Sequence, residues 1–272
     1  MINVARFFQQ SSAFRAALYR SLGVLLSSFS SFYAIRVVFE VAVGFESTLL
    51  LAISLAFFLN LFTFGVGRPL YADVKRKYMI EGLVKLDLDL PVFIALILPV
   101  VGVLGFVAIL LCYLVFSNSV EFLAEVLLFS GGIGLFYTGL FQRDLFYSLD
   151  CEEIFEKYEI LRKGSFLIGL LVLAKTGSFH LFFAIALIGS VIFYYAPIAQ
   201  LKALTKKKIR FSSKKLVEYF CKLFLKGRFY FCFMGVELMM YNLPLLFFVA
   251  RDNSAGIIVF SIWMRIFQVA VL

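Results

Sequence analysis

The chain has 272 residues, of which 62% are hydrophobic and only 16% charged, and its formal net charge is +9. A soluble domain is about half apolar and about a quarter charged, so this composition excludes an ordinary soluble globule. It indicates an all-α integral membrane protein instead. One histidine and four cysteines without a CxxC spacing give no basis for a metal site, and no cofactor is expected.

Apolar runs of membrane-spanning length recur along the whole chain. A hydrocarbon core of about 30 Å needs roughly 20 apolar residues in a helix, and the sequence therefore predicts about eight transmembrane helices. The fourth is predicted to continue past the membrane as an amphipathic helix, and the fifth and sixth to form a tight hairpin across TGSF (176–179). The predicted spans are 17–42, 47–67, 91–116, 120–142, 164–178, 179–201, 227–250 and 254–272.

Lys and Arg residues separate between the two sides of this arrangement. With eight alternating spans, and with residues near a span end counted on the nearer side, 22 of the 26 lie on the side of the N-terminus, three on the other side and one, Arg265, deep inside a span. Cytoplasmic loops carry the excess of Lys and Arg, so the N-terminus is predicted to be cytoplasmic. The basic run from Lys206 to Lys215 is interpreted as a topology signal that touches anionic membrane lipids. No aromatic interleaving accompanies it, so nucleic acid is not an expected partner.

Four stretches follow one another in the order and spacing of a transporter family. They are a serine-rich first helix (SSFSSF, 27–32), a short outer loop (VGFES, 43–47), a second helix that ends in GVGRPLYADVKRK (65–77), and a basic loop after the sixth span (LKALTKKKIRFSSKK, 201–215). Together they resemble the bacterial polysaccharide flippases of O-antigen type, within the multidrug/oligosaccharidyl-lipid/polysaccharide exporter superfamily.

The resemblance implies two lobes of six helices in the inner membrane and no enzymatic chemistry. It implies a lipid-linked oligosaccharide on a polyprenyl diphosphate as substrate, moved by alternating access, with H⁺ or Na⁺ as a possible coupling ion. It divides the chain into a first six-helix lobe (1–201), an inter-lobe loop (202–215) and the first two helices of a second lobe (216–272). Because the last predicted span ends apolar, the chain is expected to be an N-terminal fragment.

Charged residues inside the predicted spans are the candidates for substrate binding, because buried ionisable groups are costly in a bilayer and often functional. Glu237 and Arg265 fall at depths of about 20 and about 16 Å from the same face and could pair. Arg265 would then either grip a lipid diphosphate or only hold two helices in register. Arg68 and Arg20 lie at cytoplasmic helix ends, where snorkelling is the alternative. Asn60 reaches roughly 20 Å, where it could face a cavity or bond another helix.

Two other function classes stay open at this point. A cation-coupled multidrug exporter of the same superfamily would depend on cavity carboxylates, and Glu237 is one. A membrane enzyme of lipid-linked sugar synthesis would need an acidic pair outside the membrane. The acidic cluster available for that role is interpreted as a solvated helix face shared with Lys157 and Arg162. Its members are Asp150, Glu152, Glu153, Glu156 and Glu159.

Overall fold

A computed structural model describes residues 2–56, 59, 64–116, 122–137, 139–205, 213–251, 255–260 and 262–263. Within these residues the chain is helical and contains no strands. The helices are α1 (Ile2–Val41), α2 (Glu46–Leu55), α3 (Gly67–Lys85), α4 (Asp89–Phe116), α5 (Leu123–Tyr137), α6 (Leu140–Ser148), α7 (Glu152–Thr176), α8 (Phe179–Thr205) and α9 (Ser213–Ala250).

The all-helical architecture predicted from composition is confirmed for the described residues. Four segments are long and apolar enough to cross a membrane, by length and composition alone. Many large apolar side chains on them face outward, as lipid contact requires, among them Leu25, Leu104 and Ile188. The four segments are Ser12–Val41, Asp89–Cys112, Leu123–Ser148 and Phe179–Leu204.

These segments match the first, third, fourth and sixth predicted spans, whereas the total of eight stays a prediction. The seventh predicted span lies within α9, and the fifth lies within α7 except for its last two residues. The second begins as the short helix α2, and most of 57–63, like most of the eighth span, falls outside the described residues. The basic inter-lobe loop is described only at its two ends, where α8 stops at Thr205 and α9 starts at Ser213.

The prediction that the fourth span runs on as one amphipathic helix is wrong. Helix α6 ends at Ser148 and α7 begins at Glu152. Between them Asp150 takes a left-handed conformation with φ of 55°, and the Cys151 N–H bonds back to the Phe146 carbonyl at 3.0 Å. Asp is one of the few residues other than Gly that enter this region readily, so it ends one helix and lets the next start in a new direction.

The hairpin predicted between the fifth and sixth spans is confirmed. Helix α7 ends at Thr176, and Gly177 follows it with φ of 66° and ψ of 7°. Its N–H donates to the Leu173 carbonyl at 2.8 Å, which is the helix end that a left-handed Gly favours. Helix α8 then starts at Phe179 and packs back along α7.

Two apolar cores hold the helices together at opposite ends of the bundle. One core joins the last turns of α1, all of α2, and the facing parts of α4, α5, α7 and α8, around Phe129 and Phe182. The other joins α3, α6, the start of α4, the end of α8 and the start of α9, around Phe146 and Leu223. The second core thus gathers the helix ends that the charge pattern assigns to the cytoplasmic side.

The acidic face of α7 is not solvated as predicted, because three of its charged residues turn into the bundle. The Arg162 side chain is 3% exposed and that of Glu159 is 12% exposed. The guanidinium bonds both Glu159 carboxylate oxygens, at 2.9 and 2.6 Å, and also donates to the Leu135 carbonyl near the end of α5. Glu156 is buried too and accepts a hydrogen bond from the Tyr147 hydroxyl at 2.5 Å.

Replacing Arg162 with Met tests how much the fold depends on this buried pair. The variant leaves the buried Glu159 charge with only the more distant Lys163 Nζ, at 3.7 Å, so the free energy of unfolding should fall by up to about 3–5 kcal/mol. Unfolding in mixed detergent micelles measures the change. The double variant Arg162→Met/Glu159→Met should recover much of the loss.

Arg15→Ala is the matched control. It removes the ion pair between Arg15 and Glu153, which are 2.9 Å apart, and the Arg15 side chain is 53% exposed. Exposed ion pairs contribute less than about 1 kcal/mol to the free energy of unfolding. Equal losses in Arg15→Ala and Arg162→Met would show that the buried pair has no special role.

Candidate cationic site

The start of α3 lies directly against α9 at two glycines. A Cβ built on Gly65 would come within 2.6 Å of the Gly227 carbonyl oxygen, and a Cβ on Gly227 would fall on the Gly65 carbonyl. Gly65 also has φ of 66°, a conformation that costs any other residue strain. The two backbones therefore touch, and only glycine at both positions allows it. This contact explains the first glycine of the GVGR motif.

Beside this contact, α3 and α9 enclose an open pocket of about 460 Å³, within the size range of small-molecule sites. Three cations line it against a single carboxylate, so its charge is net positive. Its polar residues come from two helix faces, with Arg68, Asp73 and Arg76 on α3 and Lys226 and Tyr230 on α9. Pro69, Ala72 and Gly227 complete the lining.

Two of the pocket cations have no carboxylate within ion-pair distance. Neither Arg68 nor Lys226 forms an ion pair with any residue that the structure describes. The Arg68 guanidinium instead lies over the Tyr230 ring, 4.2 Å from its centroid. The positive end of the α3 helix dipole lies at the same place, because α3 begins at Gly67. The Asp144 carboxylate of α6 lies against Gly67 and offsets part of this charge, since the Arg68 charge acts on it. Together these charges favour an anion in the pocket.

Asp73 is the one acidic group in the lining, and protein donors already occupy it. Its Oδ2 accepts a hydrogen bond from the Tyr219 hydroxyl at 2.9 Å and lies 2.9 Å from Lys77 Nζ. Burial alone would raise the pKa of Asp73, but the hydrogen bonds from Lys77 and Tyr219 and the Lys77 charge outweigh burial and lower it. Burial and the Asp73 charge raise the pKa of Tyr219, so its hydroxyl stays a neutral donor.

The lowered pKa links this network to acid stability with a definite sign. A carboxylate whose pKa is lower in the folded than in the unfolded state stabilises the fold above its ordinary value of 3.8. That contribution is lost as the pH falls below 3.8 through the lowered pKa, so Asp73 stays ionised at physiological pH.

Of the five residues predicted to bind substrate, the structure places only Arg68 in this pocket. Arg20 is exposed on α1, outside the pocket lining, and its charge acts on the Tyr147–Glu156 pair. Asn60 and Arg265 lie outside the described residues. Glu237 is in α9, but its side chain is not described. The predicted pairing of Glu237 with Arg265 stays a prediction.

Sequence reasoning missed most of the residues that surround Arg68. Arg76 follows Arg68 by eight positions, so both fall on one face of α3 with Ala72 between them. Lys226 and Tyr230 share a face of α9 by their spacing of four. These spacings could have suggested two basic helix faces. Only the packing of α3 on α9 brings the faces together.

No family model matches this chain, and no curated protein or solved structure matches it either. The resemblance to polysaccharide flippases therefore rests on the sequence motifs alone.

Gly227→Ala should separate α3 from α9. The new methyl group meets the Gly65 carbonyl, which is backbone and cannot rotate away, so overpacking should reduce the free energy of unfolding by about 1–3 kcal/mol. Gly164→Ala on α7 is the control, since a Cβ there has no atom within 4 Å; it should be neutral or slightly stabilising. Equal stability of the two variants in mixed micelles would argue against the glycine contact.

Proposed function

We propose that the protein moves a polyprenyl-diphosphate-linked saccharide from the cytoplasmic to the outer leaflet of the cell membrane. The observation that carries the proposal is the pocket between α3 and α9, in which Arg68 and Lys226 form no ion pair with a carboxylate of the described residues. A diphosphate diester supplies two negative charges and several acceptor oxygens. An arginine guanidinium can donate two hydrogen bonds to a pair of phosphate oxygens, whereas a lysine ammonium adds a point charge on a flexible chain.

The level of the pocket along α9 suits a lipid headgroup. Tyr230 lies 20 residues before Ala250, the end of the helix, which corresponds to about 30 Å and thus to the thickness of the hydrocarbon core. A lipid whose tail stays in the bilayer would present its diphosphate at this level. The mouth of the pocket is open, so a saccharide could extend beyond the membrane face while the phosphates bind.

The two alternative functions gain no support from this site. A cation-coupled exporter needs a carboxylate that can receive a cation, but Asp73 is already engaged by Lys77 and Tyr219. An enzyme that used the acidic cluster would need a free acidic pair there. Four of its five carboxylates are engaged by Lys75, Arg15, Tyr147 and Arg162, and Glu152 is the remaining member. Transport of an anionic lipid needs no bond to break and uses the unpaired cations directly.

Removing both unpaired cations should abolish most of the transport. In proteoliposomes that contain a short-chain polyprenyl diphosphate with a fluorescent sugar, Arg68→Ala/Lys226→Ala should lower the flipping rate by at least about tenfold. That figure is the effect of losing charge-assisted hydrogen bonds to the phosphates. Protection of the fluorophore from a membrane-impermeant quencher reports the rate.

Arg228→Ala is the matched control for that experiment. Arg228 is an exposed cation on the same turn of α9, but it lies over the Phe229 ring and is absent from the pocket lining. Its removal takes away one positive charge, against two in the double variant, and should leave the rate within about twofold of wild type, as surface substitutions usually do. Undiminished transport by the double variant would contradict the proposed site.

The proposal also fixes the orientation, with the N-terminus in the cytoplasm. In a cysteine-free background, Lys175→Cys at the end of α7 should react with a membrane-impermeant maleimide added to intact cells. Lys214→Cys at the start of α9 should react only after the cells are permeabilised. Both positions are exposed, so side-chain burial does not interfere. The reverse labelling pattern would invert the orientation and leave the pocket on the wrong side of the membrane.

A further inference from the structure

A buried carboxylate in an anion pocket is unexpected, because its charge repels the ligand. The Asp73 side chain is 3% exposed and lies among the residues that line the pocket. Its Oδ2 is held by Tyr219 and Lys77, while its Oδ1 is 3.8 Å from an Arg76 guanidinium nitrogen. Both oxygens therefore face protein cations or donors, so Asp73 has a role other than holding a ligand.

The partners of Asp73 show that it joins two helices. Tyr219 is on α9, 146 positions away in sequence, and its side chain is itself buried. Lys77 binds Asp73 and also lies over the Tyr219 ring, 5.5 Å from its centroid. We call the contact of Asp73 with Tyr219 and Lys77 the Asp73 joint. A hydrogen bond to an ionised group is stronger than one between neutral groups, so this joint resists both sliding and rotation of α3 on α9.

The joint has a counterpart at the glycine contact. Gly65 meets Gly227 at one end of the helix pair, and Asp73 meets Tyr219 at the other, eight residues after Gly65 and eight residues before Gly227. Eight residues of helix span about 12 Å. Two joints at that separation fix α3 on α9 in both position and rotation. The rotation decides whether the face that carries Arg68 and Arg76 points toward Lys226.

We infer that Asp73 is a positioning residue for anion binding: it holds α3 on α9 so that Arg68 and Arg76 face Lys226 across the pocket. The inference rests on the proposed function of this pocket. Asp73 makes no contact with the anion and acts through Tyr219 and Lys77.

This role and simple electrostatics predict opposite effects of one substitution. Asp73→Asn removes a negative charge from a pocket lined by three cations, so electrostatics alone would tighten anion binding. The positioning role predicts weaker binding, because the amide loses the charge that holds Lys77 and weakens the bond from Tyr219. Asp73→Glu keeps the charge and should restore most of the affinity. Tyr219→Phe keeps the carboxylate but removes the joint, so the test does not depend on the stability of Asp73→Asn.

The experiment measures binding of inorganic diphosphate to the purified protein by calorimetry. Asp73→Asn and Tyr219→Phe should each weaken binding by about tenfold, the scale of a lost hydrogen bond to a charged group. Asp73→Glu should stay within about threefold of wild type, as a conservative rescue requires. Glu81→Gln, which removes one negative charge at an exposed position of α3 outside the pocket lining, provides the charge-matched control. Equal or tighter binding by Asp73→Asn would overturn the inference and leave the proposed function standing.

A second readout follows the helices without any ligand. Spin labels at Ile80 on α3 and Val217 on α9, both exposed, should give one narrow distance distribution in the wild-type background and a broadened one with Asp73→Asn or Tyr219→Phe. If the wild-type protein fails to bind diphosphate, the proposed function is contradicted, and the label distances then decide the inference. An unchanged distribution in both variants would overturn it.

Discussion

The backbone contact between Gly65 and Gly227 is the constraint on which the cationic site depends. It brings the first turn of α3 against α9 with no side chain between them. Every lining residue of the pocket is then placed by its position relative to that contact, including the stacking of Arg68 on Tyr230. Because both glycines oppose backbone atoms, a substitution cannot be absorbed by a change of rotamer.

Charge is distributed differently in the two halves of the described bundle. In the half around α7, buried acids and bases are matched, as Glu159 is with Arg162. A lone charge there would be very costly, since the Arg162 side chain is buried within the bundle. In the half around α3 and α9, cations outnumber carboxylates and open onto the pocket. The first arrangement favours stability, and the second leaves positive charge available to a ligand.

The sequence predicted those features that depend on local chemistry or composition. The Gly177 hairpin was predictable because glycine after an apolar helix favours the left-handed helix end. Arg68 could be selected as a candidate site residue because it follows directly on an apolar run. The break at Asp150 was not predictable, since the flanking residues continue a helical pattern. Neither was the burial of Arg162, because an i, i+3 ion pair has the same spacing on a solvated and on a buried helix face. Arg68 and Lys226 line one pocket because α3 packs on α9. That packing depends on contacts between segments distant in sequence, which no local pattern encodes.

The most direct test of the account maps where the lipid diphosphate binds. A polyprenyl diphosphate with a photoreactive group beside the phosphates would be irradiated with the protein in membranes, and the labelled peptides identified by mass spectrometry. Adducts are expected on residues 67–76 of α3 and 226–230 of α9, suppressed by excess inorganic diphosphate. Labelling confined to other segments, such as the part of α1 around Arg20, would contradict it.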